Sequence, residues 1–189
     1  MVLPIFLSIF LSTCRGAEPE SIRGIDGVLY KPFALADKKA LVLLFVTHDC
    51  PIANGYAPEI NRICAMYEPK GVSIFIVQVD PTLSVEDAKK HAHDYGFICP
   101  VLLDREHSMV KKVEAITTPE AAVLSPEGIL LYRGRIDDTY VDFGKARLVP
   151  VKRDLREALD AILAGNVTPR PFTPAIGCVI QDFQTGVQK

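Results

Sequence analysis

Hydrophobic runs alternate along the chain with segments in which apolar residues recur at helical spacing. The runs at 41–47 and 71–80 predict buried strands, because strands covered on both faces are apolar at nearly every position. Ser84 and Asp154 are expected to cap the helices that follow them. Strands that alternate with helices predict an α/β fold whose sheet is covered on both faces. The full set of predicted elements adds helices at 52–67, 84–95, 105–113 and 154–163, a short strand at 100–103, and antiparallel pairs at 21–30 and 121–133.

Three segments divide the 189 residues. Residues 1–17 carry an apolar block that is too short to cross a bilayer as an ordinary helix and that ends in small residues, as a secretory signal peptide does. The alternatives are a retained N-terminal anchor and a lipidated Cys14. A single domain is expected at 22–164 and a tail containing Pro and Thr at 165–189. If Cys14 is removed or lipidated on export, four cysteines remain in an oxidising compartment.

The charge balance narrows the choice of partners. The formal net charge is −2 and 23% of the residues are charged, which argues against binding to nucleic acid or to an anionic membrane surface. His91 and His93 lie two positions apart on a predicted helix and face apart, so we interpret them as surface histidines. Asp137 and Asp138 are interpreted as solvated loop carboxylates. The sequence has no glycine-rich phosphate loop, and neither a metal nor another cofactor is predicted.

The strand predicted at 41–47 leads directly to Cys50 and Pro51. Proline suits the first position of a helix because its missing N–H group would have no partner there. Cys50 is therefore expected at a helix N-terminus, where free N–H groups and the positive end of the dipole favour the thiolate. Because the thiolate is the nucleophilic form of cysteine, this arrangement predicts a reactive thiol. The competing interpretation is a buried cysteine that ends a core strand.

Several motifs of the chain, in the order in which they occur, resemble those of a known fold. A Cys-Pro at a strand-to-helix junction, Thr118-Pro119 just before a later strand, and a closing hairpin and helix resemble the thioredoxin fold. More narrowly, residues 22–164 resemble redoxin proteins of the AhpC/TSA type. The runs at 50–59 and 132–138 resemble an exported bacterial subgroup of these proteins.

The resemblance carries expectations of its own. It implies a thioredoxin-like fold with a central mixed sheet, and redox chemistry at Cys50. It implies a cis peptide bond at Thr118-Pro119, beside the nucleophile, and a substrate-binding role for Pro51, Thr118 and Pro119. A periplasmic location, or a membrane anchor on the periplasmic side, follows from the exported subgroup.

Several positions depart from the patterns of related proteins. A thioredoxin-type site has a second cysteine three positions after the first, but Ala53 stands there. The copper-carrying relatives have a cysteine at the position of Asn54, so copper delivery is not expected.

The peroxiredoxin pattern is incomplete in the same way. Thr47 fits that pattern, whereas Leu43 stands at its proline position, and Glu120 follows Thr118-Pro119 where an arginine is expected nearby. That arginine helps to polarise the peroxide in peroxiredoxins. Arg133 and Arg135 are the candidates to replace it in space.

Three other cysteines are candidate partners for Cys50. Cys178 lies in the tail, where it either resolves an oxidised Cys50 or belongs to an apolar plug that holds the tail on the domain. Cys64 is expected about 20 Å along the helix from Cys50, which is too far for a disulfide, and is assigned to the core. Cys99 begins a strand and is interpreted as structural.

Among the polar residues, Thr47 is expected to contact the Cys50 sulfur, and His48 and Asp49 to tune its pKa. Tyr56 and Glu59 are expected at the mouth of the pocket.

The sequence thus predicts an exported thiol oxidoreductase that uses Cys50 on a protein disulfide or a small peroxide, with an unidentified thiol as electron donor. A peroxiredoxin-like peroxidase with Cys178 as the resolving thiol is the first alternative. The second is a binding module that recognises extended peptides beside Pro119, in which Cys50 has no catalytic role. The sequence predicts neither the physiological substrate nor the oligomeric state.

Overall fold

The computed structural model describes residues 21–181, so the expected signal peptide at 1–17 and the last part of the tail lie outside the described residues. The central sheet is mixed, because β3 pairs in parallel with β4 and antiparallel with β7. Its six strands run in the order β11 (Phe172–Thr173), β8 (Leu130–Gly134), β7 (Glu120–Leu124), β3 (Ala40–Val46), β4 (Val72–Gln78) and β5 (Val101–Leu103).

Helices and short strand pairs surround this sheet. Within the described part, none of the helices is both long and apolar enough to cross a membrane. The helices are α1 (Pro51–Gly55), α2 (Ala57–Tyr67), α3 (Val85–Asp94), α4 (Ser108–Val113) and α5 (Asp154–Leu163). The short pairs are β1 (Ile22–Arg23) with β2 (Leu29–Tyr30), β9 (Tyr140–Asp142) with β10 (Lys145–Ala146), and β6 (Thr117–Thr118) with β12 (Cys178–Val179).

The two faces of the sheet bury two separate apolar clusters. Alternate residues of β3 point to opposite faces, as the period of two requires. Val42 and Leu44 pack with residues of α2 and α5, whereas Leu43 and Phe45 pack with residues of α4. The α/β class, the mixed sheet and the helices on both faces are therefore confirmed.

The predicted helix at 52–67 is interrupted. The chain forms α1 and α2 with a break at Tyr56, where the sequence analysis predicted one continuous helix. Pro58 explains the break, because proline has no N–H group to bond the carbonyl of Asn54 and its ring crowds that carbonyl. The break leaves the N-terminus of α1 at Cys50, as predicted.

The two predicted caps differ in outcome. Ser84 caps α3 by accepting a hydrogen bond from the Asp87 N–H group at 3.0 Å, as predicted. Asp154 does not cap α5: the N-cap residue is Arg153, which makes no side-chain cap. The Asp154 carboxylate instead binds Arg135 and Arg170, at 2.7 and 2.9 Å. Both arginines lie outside the helix, so the charge is used for tertiary contacts.

Buried polar residues are more numerous than the pattern predicted. His91 is buried, which corrects its assignment as a surface histidine, whereas His93 is exposed. Asp137 and Asp138 are also buried rather than solvated. Asp137 accepts hydrogen bonds from the Tyr56 hydroxyl and the Thr139 N–H group, both at 2.8 Å. These carboxylates organise the loop instead of facing water.

Cys64 and Cys99 form a disulfide between α2 and the segment before β5. Both residues are buried, as expected of structural cysteines, but the sequence analysis did not predict their pairing. With Cys50 and Cys178 free, the four cysteines of the described residues form one disulfide and one pair of thiols.

The segment after Gly165 packs on the domain, although the sequence suggested a tail beyond it. Residues Phe172–Thr173 form β11, which pairs in parallel with β8 at the edge of the central sheet. Residues Cys178–Val179 then form β12, which pairs antiparallel with β6. The chain therefore returns to the carboxyl end of β3, where Cys50 lies.

Candidate functional site

Cys50 lies just after the end of β3, at the N-cap of α1, and only 1% of its surface is exposed. Pro51 occupies the first helical position, as predicted. The Ala53 N–H group points at the Cys50 sulfur from 3.5 Å, so a helix N-terminal dipole acts on this atom. The Cys50 thiol also lies 3.2 Å from the carbonyl oxygen of Thr118.

The Cys178 sulfur lies 2.7 Å from the Cys50 sulfur. The two residues are 128 positions apart in the chain, yet their thiols meet without any rearrangement of the fold. Both cysteines are free, and Cys178 is the more exposed of the two. The structure therefore brings together the two thiols that the sequence analysis selected.

The environment favours the protonated form of Cys178. Burial, the hydrogen bond to Cys50 and the negative charge of Cys50 raise the pKa of the Cys178 thiol well above its ordinary value. Asp49 adds to the effect through its own charge. Cys178 is therefore the hydrogen-bond donor of the pair, and Cys50 is the acceptor.

Thr118 and Pro119 lie beside the thiol pair. The bond between them is cis, as the resemblance implied. The strand β12 pairs with β6 so that Cys178 stands opposite Thr118 and Val179 opposite Thr117. Gly177 permits this approach, because a Cβ atom there would overlap the Thr118 carbonyl oxygen.

Glu120 holds the receiving strand in place. Its carboxylate is buried and accepts hydrogen bonds from the N–H groups of Ile116 and Thr117, at 2.8 and 3.3 Å. The carbonyl of Ile116, in the same segment, accepts a hydrogen bond from the Ile180 N–H group at 3.0 Å. Sequence reasoning noted Glu120 only as the residue near the missing arginine, and did not assign it this role.

Thr47 acts on the site differently from the prediction. Its hydroxyl lies 3.2 Å from the hydroxyl of Thr118, rather than bonding to the Cys50 sulfur. The Thr118 hydroxyl in turn donates to the carbonyl of Cys178 at 3.4 Å. Thr47 therefore supports the strand that receives the tail, one contact away from the thiols.

A buried network supports the loop before Cys50. His91 bridges Gln78 and Asn54, at 2.9 and 2.8 Å, and Asn54 donates to the carbonyl of His48 at 2.9 Å. Burial and the nearby His48 lower the pKa of His91, so the neutral ring is favoured. The helical position of His91 in α3, on the same face as Ala88, is the sequence signal that was missed.

The two arginines proposed for peroxide polarisation have other partners. Arg135 binds Asp154 at 2.7 Å. Arg133 donates to the carbonyls of Val113 and Glu114, at 2.9 and 2.6 Å. Within residues 21–181, none of the hydrogen bonds of Cys50 comes from an arginine.

A cleft of about 330 Å³ opens beside the thiol pair. Its lining includes Thr47, Asp49 and Asp80, together with Cys178 and the residues that follow it. Asp80 also lies 3.4 Å from His48. Tyr56 and Glu59, expected at the pocket mouth, instead line a separate cleft with Asp137.

The fold and the dithiol define a thioredoxin-like redox protein. The AhpC/TSA family matches residues 26–133, which is more than half of the chain, and the chain belongs to this family. The resemblance to redoxin proteins of the AhpC/TSA type is therefore confirmed. None of the curated proteins matches the chain.

Solved structures support the same fold. An uncharacterised conserved protein from Geobacillus kaustophilus is 29% identical, with a TM-score of 0.75 over 88% of this chain and 89% of that one. A hypothetical protein from Sinorhizobium meliloti is 25% identical, with a TM-score of 0.74 over 85% and 89%. A secreted Mycobacterium tuberculosis disulfide oxidoreductase, homologous to E. coli DsbE, is 17% identical, with a TM-score of 0.54 over 78% and 96%. This last similarity concerns the fold alone.

Proposed function

We propose that the protein is a thiol–disulfide oxidoreductase in which Cys50 is the nucleophile and Cys178 is the resolving thiol. The observation that carries the proposal is the 2.7 Å distance between their sulfurs. Thr47, Pro51, Thr118 and Pro119 form the rest of the site. Together they hold the thiol pair and the strand edge beside it.

The reaction has two exchange steps. The Cys50 thiolate attacks one sulfur of a substrate disulfide, which forms a Cys50–substrate bond and releases the first substrate thiolate. Cys178 then attacks the Cys50 sulfur, which forms the Cys50–Cys178 disulfide and releases the second. Two electrons pass from the protein dithiol to the substrate, and the released thiolates take up the two thiol protons. An external thiol reductant restores the dithiol.

The environment of Cys178 suits the order of these steps. Its raised pKa has three main causes: burial, the hydrogen bond to Cys50 and the charge of Cys50. The last two disappear once the Cys50 sulfur is in a mixed disulfide. The pKa of Cys178 is then lower than in the dithiol, although burial, the largest cause, still raises it, so a larger fraction of Cys178 is thiolate at the step in which it attacks.

A disulfide substrate suits the site better than a peroxide. None of the hydrogen bonds of Cys50 within residues 21–181 comes from an arginine that would polarise a peroxide. The strand edge at Thr117–Thr118 already accepts an extended segment that carries a cysteine opposite Thr118. A protein segment with a disulfide presents the same geometry.

Export to the periplasm is part of the proposal. The buried Cys64–Cys99 disulfide is typical of proteins that fold in an oxidising compartment. The apolar block at the N-terminus agrees with this location, as the sequence analysis stated. The matching structure from M. tuberculosis is described as that of a secreted protein.

The test compares two oxidants on the reduced protein. One equivalent of a model protein disulfide, or of hydrogen peroxide, is added, and the thiols are mapped by mass spectrometry at successive times. We expect fast formation of the Cys50–Cys178 disulfide with the protein disulfide and slow formation with peroxide. Faster oxidation by peroxide would favour the peroxidase alternative.

The Cys178→Ser variant serves as the control. It should accumulate a mixed disulfide between Cys50 and the substrate, because the resolving thiol is missing. If Cys50 remained a free thiol with both oxidants, the oxidoreductase proposal would be wrong. The binding-module interpretation would then remain.

A further inference from the structure

The segment after α5 consists of two parts, which we call the anchored part (up to Thr173) and the docked part (residues 174–181). In the anchored part, the Thr173 and Tyr132 hydroxyls lie 2.7 Å apart, and Arg170 binds Asp154 and Glu157 at 2.9 and 2.6 Å. A Cβ atom on Gly134 would overlap Thr173, so the two backbones are in close contact. This part is fixed to the edge of the sheet and to α5.

The docked part makes fewer and simpler contacts. Apart from the thiol contact, its hydrogen bonds are the two-residue pairing of β12 with β6, the bond from Ile180 to the Ile116 carbonyl, and the bond from the Thr118 hydroxyl to the Cys178 carbonyl. Ile176 and Ile180 are half-buried against the two apolar clusters. The side chain of Val179 is 75% exposed, so it contributes little packing. On the side of β12 these hydrogen bonds are made by backbone atoms, so an extended peptide of another sequence can make the same hydrogen bonds.

The docked part also closes the site. Cys50 is buried, and β12 covers the strand edge at Thr117–Thr118 beside it. An extended substrate that uses this edge needs the same carbonyl and N–H groups that β12 already uses. Two strands cannot pair with one edge at the same time.

We infer that the β12 strand is a built-in competitor of the substrate for the Thr117–Thr118 edge. The inference rests on the proposed function and names the regulation of that site. When a substrate docks, β12 leaves the edge and carries Cys178 away from Cys50. When β12 returns, Cys178 attacks the mixed disulfide, and the same movement displaces the substrate strand from the edge.

Oxidation then closes the site covalently. The Cys50–Cys178 disulfide holds β12 on the edge, so the oxidised protein does not bind a new extended substrate. Reduction by an external thiol releases Cys178 and restores the exchange between the two strands. Resolution of the mixed disulfide and release of the product are thus a single event.

The test measures binding of a peptide without thiol chemistry. The probe is a fluorescein-labelled synthetic peptide with the sequence of residues 174–181 and serine in place of Cys178. Its affinity is measured by fluorescence anisotropy on the reduced protein and on the protein oxidised with diamide. We expect binding to the reduced protein and none to the oxidised protein.

Gly177→Ala weakens the competitor and leaves both cysteines in place. Its Cβ atom meets the Thr118 carbonyl, so β12 loses the edge, and the reduced variant should bind the probe about tenfold more tightly than the wild type. Val179→Thr is the matched control in the same strand, because its side chain faces solvent and its backbone pairing is retained. It should bind as the wild type does.

Equal affinity of the reduced wild type and Gly177→Ala would overturn the inference, as would equal binding to the oxidised and reduced wild type. Thiol mapping separates this result from failure of the proposed function. If diamide produces no Cys50–Cys178 disulfide, the proposed function fails. The probe affinities of the reduced wild type and the reduced Gly177→Ala variant still show whether β12 competes for the edge.

Hydrogen exchange on the unmodified protein removes any dependence on the folding of a variant. Excess probe should increase amide exchange in the peptide fragment that covers residues 176–181, because Ile180 loses its bond to Ile116. The strand Thr117–Thr118 should stay protected. Unchanged exchange in the tail while the probe is bound would contradict the inference.

Discussion

The two cysteine pairs of this domain are held in different ways. Cys64 and Cys99 are both buried, belong to α2 and the segment before β5, and form a disulfide. Cys50 and Cys178 are free thiols, and one of the two sits on a strand of two residues that is largely held by backbone bonds. Both pairs join distant parts of the chain. Only in the second pair does one cysteine lie on a short peripheral strand, β12, which is the strand that we infer to leave its edge.

The comparison indicates that a redox-active cysteine pair differs from a structural one in two ways: one cysteine lies on a short peripheral strand, and an external thiol can reach the sulfurs. Disulfide exchange requires a thiolate to approach a sulfur in line, so a pair enclosed by the core is protected until the core opens. The Cys50–Cys178 pair lies beside a cleft, at a helix N-terminus. We expect the following experiments to separate the two pairs.

The largest expected difference is in the rate of reduction. When the fully oxidised protein is treated with dithiothreitol, we expect the Cys50–Cys178 disulfide to open at least about 1,000-fold faster than Cys64–Cys99, because the latter waits for opening of the core. Alkylation and mass spectrometry at successive times measure both rates. In urea the two rates should converge. Simultaneous reduction in native buffer would contradict the distinction.

The next difference is in stability. Replacing Cys64 and Cys99 by alanine removes a link between residues 35 positions apart, and should lower the free energy of unfolding by about 3–4 kcal/mol. Denaturant unfolding of the oxidised variant measures this loss. The thiol exchange of Cys50 in native buffer should be retained. Loss of that exchange in a folded variant would show that the two pairs are coupled.

A smaller effect is expected at the edge that receives β12. Glu120→Gln replaces a buried carboxylate that accepts two N–H groups, and should cost about 1–2 kcal/mol of stability and slow formation of the Cys50–Cys178 disulfide. Glu114→Gln is the matched control, because Glu120 and Glu114 both pair with Arg133, at 3.7 and 3.5 Å, but the Glu114 side chain is 84% exposed. An equal effect of both changes would remove the special role of Glu120.

The smallest expected effect is on how the free energy of unfolding depends on pH. The pKa of the Cys178 thiol is raised in the folded state from an ordinary value of 9.0. The folded state therefore holds this proton more tightly, and the resulting stability is complete below pH 9.0 and is lost as the pH rises above it. With the Cys50–Cys178 pair reduced, the difference in unfolding free energy between the wild type and Cys178→Ala should shrink as the pH rises from 9.0 to about 12. A constant difference would contradict the assignment of Cys178 as the donor.

The sequence predicted the central part of the site because that part is local. A buried strand, a cysteine and a proline at the first helical position are adjacent, and each has a known preference for its place. The position of Cys50 at the start of a helix follows from these three features. The break at Tyr56 also had a local signal in Pro58, which the helical periodicity concealed.

The remaining features depend on contacts that leave no local pattern. The strands β11 and β12 have two residues each, too few to show a period. The pairing of Cys64 with Cys99 joins a helix to a loop, and neither neighbourhood specifies its partner. The burial of His91 depends on Asn54 and Gln78, which lie on other elements.

The anchor at Thr173 has a consequence for the concentration at which Cys178 meets Cys50. Only the four residues 174–177 separate Thr173 from Cys178, so the Cα atom of the released Cys178 stays within about 17 Å of that of Thr173. A reactive group confined in this way has an effective concentration in the millimolar range or above. The resolving step is therefore intramolecular, and its rate is independent of the protein concentration.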